Sequence, residues 1–198
     1  SILSTHNNMQ LCKKCNLYPT GSDGYIDFCC IECMHNGNHT FKCFKFSLIK
    51  NPQLQITFFD DTPELNYWLS NHYPSPITDH AGKIYPTANH YYQSCKFEPN
   101  TAPYLEISSA KISIEATMIT KKYKNLISRK WDRHKVQTMM HVIREKFTQS
   151  KILQKMLIDT QPFCIFYFSP KRNWGFDLNR LGTILMTIRA ELSRCAKL

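Results

Sequence analysis

Residues 86–97 read PTANHYYQSCKF, and the interpretation of the whole chain begins with this stretch. Thr87 has the hydroxyl of a good helix N-cap, and the proline before it cannot lie in the body of a helix. From Ala88 onward nothing breaks a helix for about two and a half turns of roughly 3.6 residues each. The sequence therefore predicts a helix that begins at Ala88 and is capped by Thr87.

Three polar side chains share one side of this predicted helix. Asn89, Gln93 and Lys96 are spaced i, i+4 and i+7, which puts them on one stripe. The aromatic residues between them cover other sides and can pack against the body of the domain. Two amides and an amine on a mostly aromatic helix indicate the wall of a polar pocket. A partly exposed surface helix has the same pattern, and this segment alone does not separate the two.

The composition is that of a folded protein without a membrane segment. Of the 198 residues, 42% are hydrophobic, which is ample for a packed core. No window approaches about eighteen consecutive apolar residues, and no secretory signal opens the chain. We therefore expect an intracellular protein, cytoplasmic or nuclear, that has no membrane partner.

The positive charge is concentrated in one part of the chain. The formal net charge is +10, and between Lys121 and Lys155 eleven basic residues stand against two acidic ones. Such a basic region is the usual electrostatic footprint of a protein that binds a phosphate-rich partner such as nucleic acid. A solvated helix face in a lysine-rich protein is the alternative interpretation.

The cysteine spacing predicts a zinc module at the N-terminus. Five of the nine cysteines lie within CKKCNLYPTGSDGYIDFCCIEC, residues 12–33. Paired cysteines on either side of a turn-rich segment are typical of structural zinc sites, where four thiolates close the tetrahedron. We predict one structural Zn²⁺, no catalytic cofactor, and a zinc module with its N-terminal tail at residues 1–45. The preferred ligands are Cys12, Cys15, Cys29 and Cys33, with Cys30, His35, His39 and Cys43 as alternatives.

Elsewhere the apolar residues predict a mixed domain with few strands and several helices. β-branched and aromatic runs are typical of strands, and apolar residues recurring every three or four positions are typical of helices with one buried face. The predicted fold class is α+β, mainly helical around a small β-sheet. The predicted strands are residues 54–59 and 163–168, the predicted hairpin is 77–85, and further helices are predicted near 107–117, 131–147 and 179–193.

Separated motifs in this chain resemble the NADAR/YbiA-like family. The family pattern is roughly SNF…G…(W/Y)PT-x-EHYxQ-x-x-KF…W…WG…N-x-LG-x-ILM-x-(V/I)R. The resemblance covers about residues 55 to 193 and implies a YbiA-like domain, which we assign to residues 54–195, after the zinc module. The matching segments are LSNHYPSPI (69–77), KIYPTANHYYQSCKF (83–97), RKWDRHK (129–135), NWG (173–175) and LNRLGTILMTIR (178–189).

The resemblance implies cleavage of the bond between ribose and a base nitrogen. The substrate classes of the family are ADP-ribose attached to guanine in nucleic acid and phosphoribosylated intermediates of riboflavin synthesis. Breaking a C1′–N bond requires stabilisation of positive charge on the ribose, a proton for the departing base, and a nucleophile. The extended basic region favours an ADP-ribosylated guanine nucleotide as substrate. A weak relative that senses ADP-ribose, and a zinc protein that contacts nucleic-acid backbone, remain alternatives.

Matching the motifs residue by residue gives the candidate site residues. Lys96 can attack C1′ of an opened ribose, protonate the leaving base or pair with a phosphate. The remaining candidates correspond to family positions that would bind the ribose or the base, or stabilise the positive charge on the ribose. The candidate catalytic residues are Lys96, Asn89, Asp177 and Trp131. The candidate substrate-binding residues are Ser70, Asn71, His90, Tyr91, Gln93, Trp174, Gly175 and Asn179.

Two acidic positions of the family are altered in this chain. Asn89 stands where the family has Glu, and an amide carries no charge and cannot act as a base. After Trp174-Gly175 the family often continues with Asp, whereas here Phe176 intervenes and the acid is Asp177. If the first change is a simple loss, Asn89→Glu should raise activity. A fall in activity would mean that the site is rebuilt around the amide.

Overall fold

The structure, a computed structural model, describes residues 55–58, 60, 66–169, 174–175 and 178–195. These residues form two compact units. The first unit contains the described residues up to Thr57 and from Thr160 to Arg194, and the second unit runs from Phe58 to Asp159 and includes Cys195. In chain order the elements are β1 (Gln55–Phe58), a 3-10 turn (Tyr67–Leu69), β2 (Ile77–Thr78), β3 (Ile84–Tyr85), α1 (Ala88–Ser94), α2 (Ala102–Ser108), α3 (Ser113–Lys122), a 3-10 turn (Lys124–Leu126), α4 (Trp131–Gln149), α5 (Lys151–Asp159), β4 (Cys164–Tyr167) and α6 (Arg180–Cys195).

Helix α1 begins where the sequence predicts. Thr87 has extended backbone angles and its hydroxyl accepts a hydrogen bond from the His90 amide, as an N-cap does. All seven residues of the helix are buried. The helix ends at Ser94, because the amides of Lys96 and Phe97 donate three residues back, to the carbonyls of Gln93 at 3.2 Å and Ser94 at 3.0 Å. Lys96 therefore lies in the turn after α1, and the prediction that it continues the helical stripe is wrong.

The second unit is built around α1. This helix packs against α2, α3 and α4. On α4 the buried stripe contains Met139, Ile143 and Phe147, as predicted, while Trp131 and Val136 are only half-buried. An apolar cluster of this unit comprises Phe97, Ile107 and Ala116, with Tyr104, Ala110, Ile119, Tyr123 and Ile127 packed against it.

The predicted hairpin is confirmed. Strands β2 and β3 pair antiparallel, with Ile77 opposite Tyr85. In the connecting turn the Asp79 carboxylate accepts from the amides of Ala81 and Lys83, both at 2.9 Å. Gly82 has φ +83°, a left-handed conformation that glycine adopts without steric cost, so the turn requires it.

In the first unit, α6 begins very close to β4. The Asn179 amide Nδ2 donates to the Ile165 carbonyl at 2.9 Å, and its Oδ1 accepts from the Tyr167 amide at 2.9 Å. A Cβ at Gly182 would clash with the Ile165 carbonyl oxygen, so the first turn of the helix requires glycine there. The predicted inward face of this helix is confirmed, since Leu181, Ile184, Leu185, Ile188 and Leu192 are all buried.

The predicted class of a mainly helical α+β domain is confirmed for the described residues. The sheet content consists of two two-stranded sheets, β1 with β4 and β2 with β3. Strand β4 is buried at every residue, as the sequence predicts. None of the helices in the described ranges is long and apolar enough to cross a membrane. The predicted zinc module at residues 1–45 lies outside the described residues.

Candidate active site

The amine of Lys96 lies over two aromatic rings. Its Nζ is 5.3 Å from the centroid of the Tyr92 ring and 5.7 Å from that of Trp131. Tyr92 lies on α1 and Trp131 is the first residue of α4. The centroids of their rings are 5.3 Å apart, and the ring planes are tilted by 59°. Ring faces attract a cation at these distances. The structure thus brings together two of the candidate catalytic residues, Lys96 and Trp131.

The Asn89 amide is fully engaged by protein partners. Its Nδ2 donates to the Ser113 carbonyl at 2.7 Å and to the Thr117 hydroxyl at 3.1 Å, both on α3. Its Oδ1 accepts from Gln93 Nε2 at 3.0 Å. A carboxylate has no hydrogen to donate to the Ser113 carbonyl, so this pocket is matched to an amide.

Two buried amide oxygens near α1 lack partners within the described part of the chain. They are Oε1 of Gln93 and Oδ1 of Asn71, whose side chains are 7% and 8% exposed. The Asn71 loop is tied to α1, because its carbonyl accepts from the Asn89 amide at 2.9 Å. A buried acceptor without a hydrogen costs about 1–3 kcal/mol. A ribose hydroxyl or a base N–H is a donor of the kind that such an oxygen accepts.

Lys146 fixes the loop that carries Ser70 and Asn71. Its amine is completely buried and donates to the carbonyls of Trp68 and Ser70, both at 2.7 Å. Burial lowers the pKa of Lys146 to about 7, although the Asp60 charge acts in the opposite direction. Lys146 is therefore not part of an exposed basic region, and the prediction for residues 121–155 is wrong for this lysine. Lys146 lies three residues after Ile143, on the buried stripe of α4. The count of basic residues between 121 and 155 does not take this position into account.

His90 and Tyr91 project from other sides of α1 and have protein partners. The His90 ring nitrogens lie 2.9 Å from the Thr87 hydroxyl and 3.1 Å from the Ala110 carbonyl, and burial lowers the pKa of its imidazole. The Tyr91 hydroxyl lies 3.1 Å from His141 Nε2, and its ring stacks on Tyr85 at 4.5 Å. A substrate contact by either residue would have to replace one of these partners.

A polar chain that the sequence did not suggest runs beside the candidate site. Ser70 Oγ donates to one oxygen of Asp60 at 2.7 Å, and the other oxygen lies 3.6 Å from His72 Nε2. The opposite ring nitrogen, His72 Nδ1, lies 2.8 Å from Ser113 Oγ. The one available hint was His72 itself, which stands where the family pattern SNF has phenylalanine.

Most of the predicted basic region is exposed. Three of its lysines pair with acidic residues, among them Lys122 with Glu106 at 3.0 Å and Lys135 with Asp132 at 2.8 Å. The exposed basic residues closest to Trp131 in the chain stand on both sides of it. They are Lys124, Arg129, Lys130 and Arg133.

The remaining candidate residues belong to the first unit or lie outside the described residues. A Cβ at Gly175 would clash with the Ser169 carbonyl, which requires glycine there, and Trp174 is half-buried. The Asn179 amide is used by β4, as described above. Asp177 and the predicted zinc ligands are not described, so their roles stay predictions. Within the described ranges, no three His, Cys, Asp or Glu side chains form a group that could hold a metal ion.

Comparisons with known proteins identify the family. The NADAR domain model matches residues 57–193. The chain is 29% identical over 157 residues to a riboflavin biosynthesis protein of Vibrio vulnificus, covering 76% of this chain but only 42% of that protein. It is 30% identical over 121 residues to N-glycosidase YbiA of Shigella boydii, covering 57% of this chain and 73% of YbiA.

The fold comparison agrees with the sequence comparison. The NMR structure of the Escherichia coli protein YbiA matches with a TM-score of 0.62 at 26% identity, over 72% of this chain and 89% of YbiA. The match includes the mainly helical architecture and the small sheets described above. Because the family model covers well over half of the sequence, the chain belongs to the NADAR domain family.

Proposed function

We propose that this chain is an N-glycosidase that hydrolyses the bond between ribose and a base nitrogen, with ADP-ribose attached to guanine in nucleic acid as its substrate. Relatives named N-glycosidase support the reaction class. The observation that carries the proposal is the Lys96 amine over the rings of Tyr92 and Trp131, directly after the helix that bears the buried amides.

Lys96 has two possible roles at the reacting centre. In the first, its neutral amine adds to C1′ of a ring-opened ribose and displaces the base nitrogen, which leaves with a proton; water then hydrolyses the resulting imine. In the second, its ammonium gives a proton to the departing nitrogen while water attacks C1′. Borohydride traps the protein–sugar imine of the first route and nothing in the second.

The groups around Lys96 suit an ADP-ribosylated nucleotide. The unpartnered oxygens of Gln93 and Asn71 can accept hydrogens from ribose hydroxyls or from a base edge. The half-buried Trp131 ring can stack on a base, an interaction worth about 1–3 kcal/mol. The exposed Arg129 and Lys130 next to it can pair with the several phosphates of an ADP-ribosylated oligonucleotide.

The test is release of ADP-ribose from an oligonucleotide that carries one ADP-ribosylated guanine. We expect release by the wild type, and a rate reduced to background in Lys96→Ala. Lys83→Ala is a matched control, because Lys83 Nζ also lies over an aromatic ring, that of Tyr104, at 5.2 Å. Release by Lys96→Ala at the wild-type rate would remove Lys96 from the chemistry.

A second candidate function is binding of ADP-ribose without turnover. Asn89 favours it, because an amide held by three hydrogen bonds cannot take up or supply a proton. Calorimetric titration with ADP-ribose distinguishes this candidate. Tight binding by a protein that releases nothing from the oligonucleotide supports a sensor.

A third candidate is hydrolysis of phosphoribosylated riboflavin intermediates. It is favoured by the riboflavin biosynthesis proteins of Vibrio vulnificus and Zea mays, which are 29% and 32% identical to this chain over the aligned parts. The chain spans 42% of the first and 20% of the second. Turnover of a phosphoribosylated pyrimidine faster than of the ADP-ribosylated oligonucleotide would favour this candidate.

A further inference from the structure

We propose that His72, oriented by Asp60, is the proton acceptor of this site and acts through the hydroxyl of Ser113. The inference rests on the proposed glycosidase function and names the group that activates the attacking water. Water attacks C1′, the C1′–N bond breaks, and its electron pair leaves with the base. The proton of the water passes to Ser113 Oγ as the proton of that hydroxyl passes to His72 Nδ1. As in the second route above, the Lys96 ammonium gives its proton to the departing nitrogen. The imidazolium afterwards loses its proton to solvent, and the Lys96 amine takes one up, which restores both groups.

Hydrolysis by water attack needs such an acceptor. When Lys96 is the ammonium that protonates the base, the other described side chains of α1 and its end do not provide one. Asn89 has no basic group. His90 is a weaker acceptor, because burial lowers the pKa of its imidazole and its Nε2 lies against the Ala110 carbonyl. Burial raises the pKa of the Tyr92 phenol and raises that of the Cys95 thiol to about 12, so both stay protonated and cannot accept a proton.

The geometry places a hydroxyl, a base and a carboxylate in one row, with the carboxylate at ion-pair distance from the ring once the ring is protonated. Ser113 Oγ and His72 Nδ1 are 2.8 Å apart, and His72 Nε2 is 3.6 Å from Asp60 Oδ2. A base within hydrogen-bond reach of a hydroxyl, and itself oriented by a third group, is the arrangement that activates oxygen nucleophiles. The second oxygen of Asp60 is held by Ser70 at 2.7 Å, which fixes the direction of the carboxylate.

Ser113 links this arrangement to the candidate site. Its carbonyl accepts the 2.7 Å hydrogen bond from Asn89, and Asn71, whose buried oxygen lacks a partner in the described ranges, precedes His72 in the chain. Ser113 is also the first residue of α3, where the helix dipole favours negative charge developing on its oxygen. The side chains of His72 and Asp60 are 13% and 21% exposed, so water reaches both of them.

The protonation states are set by the neighbours of His72. With one proton on Nε2, facing Asp60, the neutral ring has its lone pair on Nδ1, which accepts from Ser113. After transfer, the carboxylate stabilises the imidazolium. Other titratable groups surround the pair. They are Tyr67 and Lys146, which both interact with the Asp60 charge, and His90, which shares Thr87 with Ser113.

The test is the pH dependence of kcat/KM for ADP-ribose release. The rate should rise with pH as His72 loses its proton, and His72→Gln should lower it by about 10²–10⁴-fold and remove that limb. Asp60→Asn should move the limb to lower pH, because without the carboxylate the imidazolium is less stable. His80→Gln, an exposed histidine in the β2–β3 turn, should behave as wild type. A residue that only supports the fold would lower the rate at all pH values and leave the limb unmoved.

The outcomes separate this inference from the proposed function. A wild type that releases ADP-ribose, together with a His72→Gln variant that keeps the acid limb, overturns the inference and leaves the function standing. A wild type that releases nothing overturns both. Ser113→Thr keeps a hydroxyl and should retain activity, whereas Ser113→Ala should lose it; equal rates would overturn the part assigned to Ser113. If His72→Gln fails to fold, the shift in Asp60→Asn decides the question.

Discussion

Replacing Asn89 by Asp removes both donated hydrogen bonds and adds a negative charge at nearly constant size. The side chain is 6% exposed, so water cannot replace the lost partners. Thr117 can turn its hydroxyl to donate to the carboxylate, and Gln93 can continue to donate. The Ser113 carbonyl cannot adapt, and a carboxylate oxygen would face it at about the 2.7 Å of the present bond.

The magnitude follows from these contacts. Loss of one hydrogen bond costs about 1 kcal/mol, and a buried carbonyl left without its donor and facing a charge costs about 1–3 kcal/mol more. We therefore expect Asn89→Asp to lower the free energy of unfolding by about 2–4 kcal/mol. For a chain of this size, each kcal/mol shifts Tm by about 2–4 °C, which gives a fall of roughly 4–16 °C.

The pH dependence provides a second check on the same variant. Burial beside a carbonyl raises the pKa of the new carboxyl in the folded state above its value in the unfolded chain. The folded state then binds the proton more tightly, so the deficit is full above the folded pKa and shrinks as the pH falls through it. The protonated carboxyl can again donate one hydrogen to Ser113.

The assay is urea denaturation of wild type, Asn89→Asp and Asn125→Asp at neutral and acid pH. Asn125 is exposed, so the same chemical change there should stay within about 0.5 kcal/mol of wild type. Equal stability of the two variants would refute the assignment of Asn89 as an obligatory donor. The same reasoning predicts that Asn89→Glu lowers activity, and a rise would mean that a carboxylate has simply been lost.

Two further predictions concern the surrounding fold. The free energy of unfolding of the wild type should rise between about pH 7 and pH 10, because the buried Lys146 amine loses its proton near pH 7 while the unfolded chain keeps it. Urea denaturation across this range should find the rise missing in Lys146→Met and present in Lys151→Met, an exposed control; a rise in both would contradict the assignment. Gly182→Ala should lower the free energy of unfolding by more than about 2 kcal/mol, because the new methyl group meets the Ile165 carbonyl. The Tm should fall accordingly. A thermal scan like that of wild type would contradict the close approach of α6 to β4.

The local elements of this fold are the ones that sequence reasoning predicted well. The start of α1 depends on a hydroxyl and an amide three residues apart, Thr87 and His90. The hairpin depends on Gly82 and on the Asp79 carboxylate, which bonds amides two and four residues further along. The inward face of α6 depends on apolar residues that recur every three or four positions. Interactions between residues two to four positions apart form within one chain segment. The pattern of residue types in that segment is therefore enough to predict them.

The end of α1 shows where local reasoning stops. Nothing in residues 88–97 forbids a longer helix, yet the chain turns after Ser94 and Lys96 leaves the helical stripe. In this position its amine reaches Tyr92 and the Trp131 ring of a different helix.

The sequence by itself determined the family, helices α1, α4 and α6, the β2–β3 hairpin, strands β1 and β4, and the polar character of the α1 stripe. The predicted helix near 107–117 instead spans the break between α2 and α3. Only the tertiary structure decided what those polar groups do. Asn89 reaches Ser113 across 24 positions, His72 reaches Ser113 across 41, and Lys146 reaches Ser70 across 76. These contacts depend on how α1, α3 and α4 pack and on which groups lose their water in doing so. A residue-type pattern does not contain that information, because desolvation and hydrogen-bond partners are set by distant parts of the chain.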